Sequence, residues 1–294
     1  MSEICGMSNF YQHFYIVFLC LLGIGLGGCA TTNDMRLYQA HLNLPLKVLV
    51  IESPVAIDPG RLQAVFAPDI TPKLSASDEP ISQAVKHAQE HALAVMESAM
   101  TKQPRIIAVT PPFEDNQLIH EIQGYSFQTA IPQDEADRIR KSTGADALLR
   151  FGITDYGLTP TSWRNGYITF EVTSTLALAA AVAYSGSTVA KAAAGAYLVQ
   201  EAVEEAAEAY AGFWALDVVS RPVRIEVELI RLNPVTTVWN TSNTGLAEVK
   251  LSRLTRKVEV DERDRQLDQA TDDAVKDVVS DLSAALEKIK PGHN

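Results

Sequence analysis

One stretch of the chain carries residue types and spacing that could do chemistry: His87-Ala88-Gln89-Glu90-His91. Two imidazoles four residues apart stand one turn apart on a helix, where they could share a zinc ion while the glutamate activates a water. The helix that would carry them runs from Ile81 to Met100. Measured from Ile81 at 100° per residue, His87 falls at about 240°, His91 at about 280° and Glu90 at about 180°. The histidines therefore border the apolar face and the glutamate points to solvent, so the expectation is boundary histidines and no metal. A zinc site would need a third ligand, for which Glu201, Glu204, Glu205 and Glu208 are the candidate source. Those four acids lie within about 100° of one another on a second helix, which fits a solvated face. No GxSxG, phosphate loop, dinucleotide fingerprint or CxxC pair is present. Trp163, Trp214 and Trp239 are far apart in sequence and are expected to pack. The chain is expected to have no catalytic residues, no cofactor and no enzymatic activity.

The other reactive group is a cysteine. Phe14 to Leu26 (FYIVFLCLLGIGL) is uncharged and too short to span a bilayer, which fits the core of a signal peptide. Leu26-Gly27-Gly28-Cys29-Ala30 follows directly. This segment resembles the lipobox of bacterial lipoproteins. The resemblance implies a signal peptide over residues 1–28, diacylglyceryl and palmitate attachment at Cys29, and a lipidated tether over residues 29–44. Cleavage would remove Cys5 and Cys20 and leave Cys29 acylated, so no disulfide can staple the mature chain. Ala30, where an aspartate would argue for inner-membrane retention, points to the outer membrane and its periplasmic face. Two or more acyl chains make such an anchor durable.

Thirty-six acidic against 25 basic side chains give a formal charge of −11. An acidic chain repels nucleic acid and anionic lipid headgroups, with no Lys/Arg cluster in the sequence to offset that, and nucleic acid is excluded as a partner. The expected partners are the bilayer, through acylated Cys29, and a second copy of the chain or other envelope proteins.

Behind the tether, residues 45–294 read as a single α/β domain. Leu46 to Ile51 is a buried strand, and the Pro- and Asp-punctuated stretch up to Pro80 reads as loop. The Ile81–Met100 helix presents Ile81, Ala84, Val85, Ala88, Ala92, Val95, Met96 and Ala99 on one face. Strands follow at Ile106 to Val109 and Ala147 to Tyr156, with a short helix from Asp134 to Ser142 between them, ended by Gly144. Tyr167 to Thr175 is expected as a further strand. Residues 172–190 are uncharged and rich in alanine and small polar residues. Residues 176–215, broken at Ser185-Gly186-Ser187, read as an inserted helical hairpin. Beyond Pro222, Val223, Ile225, Val227 and Leu229 alternate with Arg224, Glu226 and Glu228, as in a half-buried strand. Asn233-Pro234 turns the chain into Thr237 to Thr241. A last strand is expected between Glu248 and Val260, then an amphipathic helix with Leu267, Ala274, Val278, Leu282, Ala285 and Ile289 on one side. Strands alternating with helices, then a hairpin and a helix, predict a mixed sheet flanked by helices in an α/β sandwich.

The order KVLVIES, long helix, IIAV, GADALLRFGITDYG, insertion, VRIEVELIRLNPVTTVWNTSNTG resembles periplasmic lipoproteins of the CsgG superfamily over roughly residues 46–255. The resemblance implies the same mixed sheet and carries no catalytic residues. It suggests a non-enzymatic scaffold or assembly subunit of an envelope complex, with an export-channel subunit as the alternative and a metal-dependent hydrolase using His87, Glu90 and His91 as a third reading. A channel needs period-two hairpins of about ten residues. Only Tyr167–Thr175 and Val223–Leu232 approach that, and both are expected in the sheet. In the exporter the inserted region supplies a membrane-spanning β-hairpin, whereas here it is alanine-rich and helical in character. The hairpin must bury its apolar side on the sheet or on a second copy, and Tyr197, Tyr210, Phe213 and Trp214 are the candidate contact residues.

Overall fold

The computed structural model describes residues 37, 42–53, 57–110, 124, 127, 129–167 and 211–289. Five strands form one mixed sheet: β1 (Leu46–Glu52), β2 (Ile106–Val109), β3 (Ala147–Tyr156), β4 (Val223–Leu232) and β5 (Val235–Gly245). Their order across the sheet is β2-β1-β3-β4-β5, with β1 parallel to β2 and β3, and β4 antiparallel to both neighbours. The helices are α1 (Pro59–Phe66), α2 (Glu79–Met100), α3 (Gln133–Thr143) and α4 (Val260–Glu287), with further helical turns over 161–167 and 211–219. The expected sandwich of a mixed sheet between helices is what forms.

Strand character follows position. β1 and β3 are central, parallel to each other and covered on both faces, so they carry mostly apolar residues rather than a strict alternation. β3 is buried along nearly its whole length. β4 alternates in its first half, with Val223, Ile225, Val227 and Leu229 buried toward α2 and α4. On the opposite face Leu49, Ile51, Leu148, Ile230 and Leu232 form a second core under Ala136 and Ile139 of α3. The sheet therefore has two cores, the larger beneath the α2/α4 layer. Helix α2 reaches it through Ile81, Ala84, Ala88, Ala92, Met96 and Met100, a three- or four-residue rhythm. Burying each of its larger apolar side chains contributes roughly 1.5–3 kcal/mol. Gly144, at φ +68°, ends α3 in the left-handed conformation the sequence called for. At Gly245 there is room for no side chain, because the backbone of Ala270 and Ala274 in α4 lies against it.

Several expectations are corrected. Pro59–Phe66 is helical, not loop: Asp58 caps it by accepting from the Gly60 amide at 2.7 Å, and Leu62 and Val65 enter the core. No strand forms between Glu248 and Val260. A 3-10 turn at Leu251–Leu254 stands there, because the Arg253 guanidinium is drawn inward onto the Val219 and Glu248 carbonyls and the Glu262 carboxylate. Leu37, within the stretch expected as a polar tether, is wholly buried in the larger core. Tyr167 ends a helical segment, and the remainder of the strand expected over Tyr167–Thr175 lies outside the described residues. Of the expected hairpin over 176–215, residues 211–215 are described; they are helical, and the helix continues to 219. Among the described residues no helix is long and apolar enough to cross a membrane.

Candidate functional site

Helices α2 and α4 lie side by side, and the two histidines stand on the ridge between them. His87 Nε2 meets Asp268 Oδ1 at 2.9 Å, and His91 Nε2 meets Asp272 Oδ1 at 2.9 Å. Both pairs are spaced i, i+4, so the contacts repeat one turn apart and the imidazoles stack with centroids 6.1 Å apart and planes 18° from parallel. Each ring holds its own carboxylate, so the four side chains make two separate clasps instead of one cage. Among the described residues no group of three or more His, Cys, Asp or Glu side chains could hold a metal ion. Glu90 is largely exposed and faces Lys86 at 3.7 Å. The Glu201–Glu208 stripe lies outside the described residues.

Beneath this ridge Glu52 ends β1. Burial pushes its carboxyl up to about 7; a hydrogen bond from Gln89 opposes the rise and nearby Glu90 adds to it. Its buried Oε1 has no hydrogen-bond partner.

A polar knot closes the end of the sheet where β3 stops and β4 begins. Arg61 of α1 pairs with Asp155 at 3.1 Å and donates to the Thr159 carbonyl at 2.8 Å. Asp217 accepts from the amide and hydroxyl of Thr159 and pairs with Arg164 at 2.6 Å. Arg164 also lies over the Phe213 ring, 5.5 Å from its centroid, and Tyr167 meets Phe213 edge-on at 5.8 Å. The knot fixes helical segments 161–167 and 211–219 against each other. It engages Phe213 within the chain, leaves Trp214 52% exposed, and holds Trp163 exposed beside it. Of the other expected contact residues, Tyr197 and Tyr210 lie outside the described residues, as does Cys29. Of the three tryptophans expected to pack, Trp239 does so in the core, whereas Trp163 and Trp214 do not, because the Arg164–Asp217–Thr159 contacts occupy the inner side of their helical segments. Close by, Arg221 takes φ 46°, a left-handed conformation uncommon for a side chain with a Cβ. Burial, then the charge of Arg263, holds its pKa below the ordinary arginine range.

One buried pair went unread in the sequence. Glu228, expected on the polar side of β4, is buried with Arg150 of β3, their side chains 2.9 Å apart. Arg150 also donates to the Thr129 carbonyl at 3.1 Å and lies 5.9 Å from the Phe127 ring centroid. Two charges on adjacent strands in register, Arg150 opposite Glu228, were the available signal.

The fold and these sites define an α/β sandwich with a polar, aromatic end. No protein-family model matches the chain, and no curated protein matches it significantly. Among solved structures, it is similar to a PelC dodecamer from Paraburkholderia phytofirmans, at 11% identity over 80% of this chain and 86% of that one, TM-score 0.30. It is also similar to the hypothetical protein CT253 from Chlamydia trachomatis, at 7% identity over 82% and 98%, TM-score 0.36. Likeness of this degree transfers neither function nor assembly state.

Proposed function

We propose that this chain is a lipid-anchored protein of the bacterial envelope, held through Cys29 on the periplasmic face of the outer membrane, where it acts as a non-enzymatic scaffold or assembly subunit. The observation that carries the reading is Leu26-Gly27-Gly28-Cys29 placed directly after an uncharged apolar run too short to span a bilayer. The resemblance of residues 46–255 to CsgG-superfamily lipoproteins supports the assembly role. The His87/His91 spacing is spent on two His–Asp clasps that join two helices of the chain. Exposed Trp214, at the foot of the inserted segment, is available to a neighbour. Replacing Cys29→Ser tests the anchor: the precursor should remain uncleaved by the lipoprotein peptidase and take up no labelled fatty acid. Continued processing and continued membrane retention of the variant would place the anchor elsewhere.

A further inference from the structure

Eight large hydrophobic side chains are left exposed among the described residues, and only Ile107, on edge strand β2, lies away from one end of the fold. Ile70 sits in the α1–α2 connection, and Trp163, Tyr167 and Trp214 sit on the two short helical segments. Val249, Leu251 and Val260 surround the 3-10 turn. The connections after β3 and β5 leave the sheet, and the 211–219 segment leads into it, where Tyr156, Val223 and Gly245 pair across it; α1 meets the same end through Phe66, stacked on Tyr156 with centroids 6.0 Å apart.

The turn inverts ordinary sorting. Arg253 is 3% exposed, while Leu251 two residues earlier is 70% exposed. The buried arginine donates from Nη1 to two carbonyls at 2.6 Å and from Nε to the Glu262 carboxylate at 2.9 Å. It holds the loop so that its leucine cannot turn inward. Trp163 and Trp214 are likewise held outward by the Arg164–Asp217–Thr159 knot beneath them. Apolar side chains kept outward by buried polar contacts call for an apolar phase outside the chain.

We propose that this end of the fold docks on a lipid bilayer, with Trp163, Trp214 and the Val249–Leu251 tip entering the headgroup region. The inference rests on lipid attachment at Cys29. Indole rings favour the boundary between headgroups and acyl chains, with the ring body in the apolar layer and the N–H in the wet one. Lys257, exposed, and Lys250 and Arg256, paired with Glu248 at 3.0 Å and Glu262 at 2.7 Å, flank the tip where the headgroups would lie. The tether decides between a bilayer and a second copy as occupant. With Leu37 fixed in the core, only eight residue steps separate it from Cys29, a reach of roughly 28 Å. That is close to the roughly 23 Å length of β1, so the bilayer lies within reach of either end of the sheet. A surface so confined meets the bilayer at a far higher effective concentration than it meets another protein.

The test uses the mature, lipidated protein reconstituted into phosphatidylethanolamine/phosphatidylglycerol vesicles, with and without bromine on the acyl chains. Bromolipid should lower tryptophan emission about twofold, and W163F/W214F, which leaves only buried Trp239, should abolish the effect. Flotation of the same vesicles reports the anchor separately. Protein that floats, is untouched by bromolipid and is quenched by acrylamide would refute docking while leaving the anchor standing. Protein that floats, is shielded from both quenchers and cross-links to itself would assign this end to a copy–copy interface and overturn the proposal. Protein that fails to float would overturn the anchor and the docking together.

Discussion

Replacing Glu228→Gln should unfold this protein far more readily than any surface substitution. The Arg150 guanidinium is 1% exposed and its charge partner lies 2.9 Å away on the adjacent strand. Nε and Nη1 of Arg150, both buried, have no hydrogen-bond partner. Removing the carboxylate charge leaves a buried cation facing, among the described residues, only neutral groups: the new glutamine amide, the Thr129 carbonyl and the Phe127 ring. Breaking such a pair costs about 3–5 kcal/mol. Total stability of a domain is only about 5–15 kcal/mol. At about 2–4 °C per kcal/mol for a chain of this size, the melting temperature should drop by about 6–20 °C. Urea unfolding followed by circular dichroism reads the same loss as a lower midpoint at unchanged slope. The companion variant Arg150→Met/Glu228→Leu removes both charges and should recover most of the loss, since apolar residues of similar volume often replace a buried pair at little cost. A loss under about 1 kcal/mol for Glu228→Gln, or a double variant no better than the single, would mean that Arg150 does not depend on the carboxylate for its burial.

Glu52 predicts a pH dependence. Its carboxyl is raised from 4.5 to about 7 in the folded chain, so the folded state holds the proton more tightly than the unfolded one. Its contribution to stability therefore falls as pH rises from 4.5 to 7, and is flat outside that window. A rise of that size is worth up to about 3.4 kcal/mol, which partial solvent access reduces to about 1–2 kcal/mol. Glu52→Gln should stabilise the protein by that amount at pH 8 relative to pH 4, measured by urea midpoints; an equal effect at both would contradict it. His87→Gln with His91→Gln should change stability by at most about 1 kcal/mol, because both clasps are partly exposed. Elemental analysis of the parent should find no stoichiometric zinc, and one tightly bound metal lost in the double variant would restore the hydrolase reading. Gly245→Ala should destabilise by about 1–3 kcal/mol by pushing α4 off β5; a neutral result in thermal unfolding would mean the helix can retreat freely.

The central strands were legible because mostly apolar runs without strict alternation leave few homes but a strand covered on both faces: LKVLVI and ALLRFGITDY were recognisable from their own residues, although the buried charges Arg150 and Asp155 in the second were not explained by them. The face of α2 was legible for the same reason, through the recurrence of Ile81, Ala84, Ala88, Ala92 and Met96. Helix α1 was not, since Asp58-Pro59-Gly60 is equally a turn, and two buried residues in eight give little periodicity. The segment from Glu248 to Val260 misled because its valines and leucines space like a strand. What decides its shape is Arg253 reaching the end of the 211–219 helix, a contact across 34 residues. The histidine clasps share that origin. The angles of His87 and His91 on their own helix were correct, but Asp268 and Asp272 stand 181 residues further on, at a helix–helix register no local pattern encodes. Glu228 looked solvent-facing because alternation says only which face a side chain takes, and not what covers that face.

Intact mass measurement of the mature protein's N-terminus decides whether Cys29 is acylated. The first residue should be Cys29, with the mass of a diacylglyceryl thioether and an amide-linked acyl chain. An unmodified Cys29, or an N-terminus at any other residue, would contradict the claim and with it the placement of this protein on a membrane.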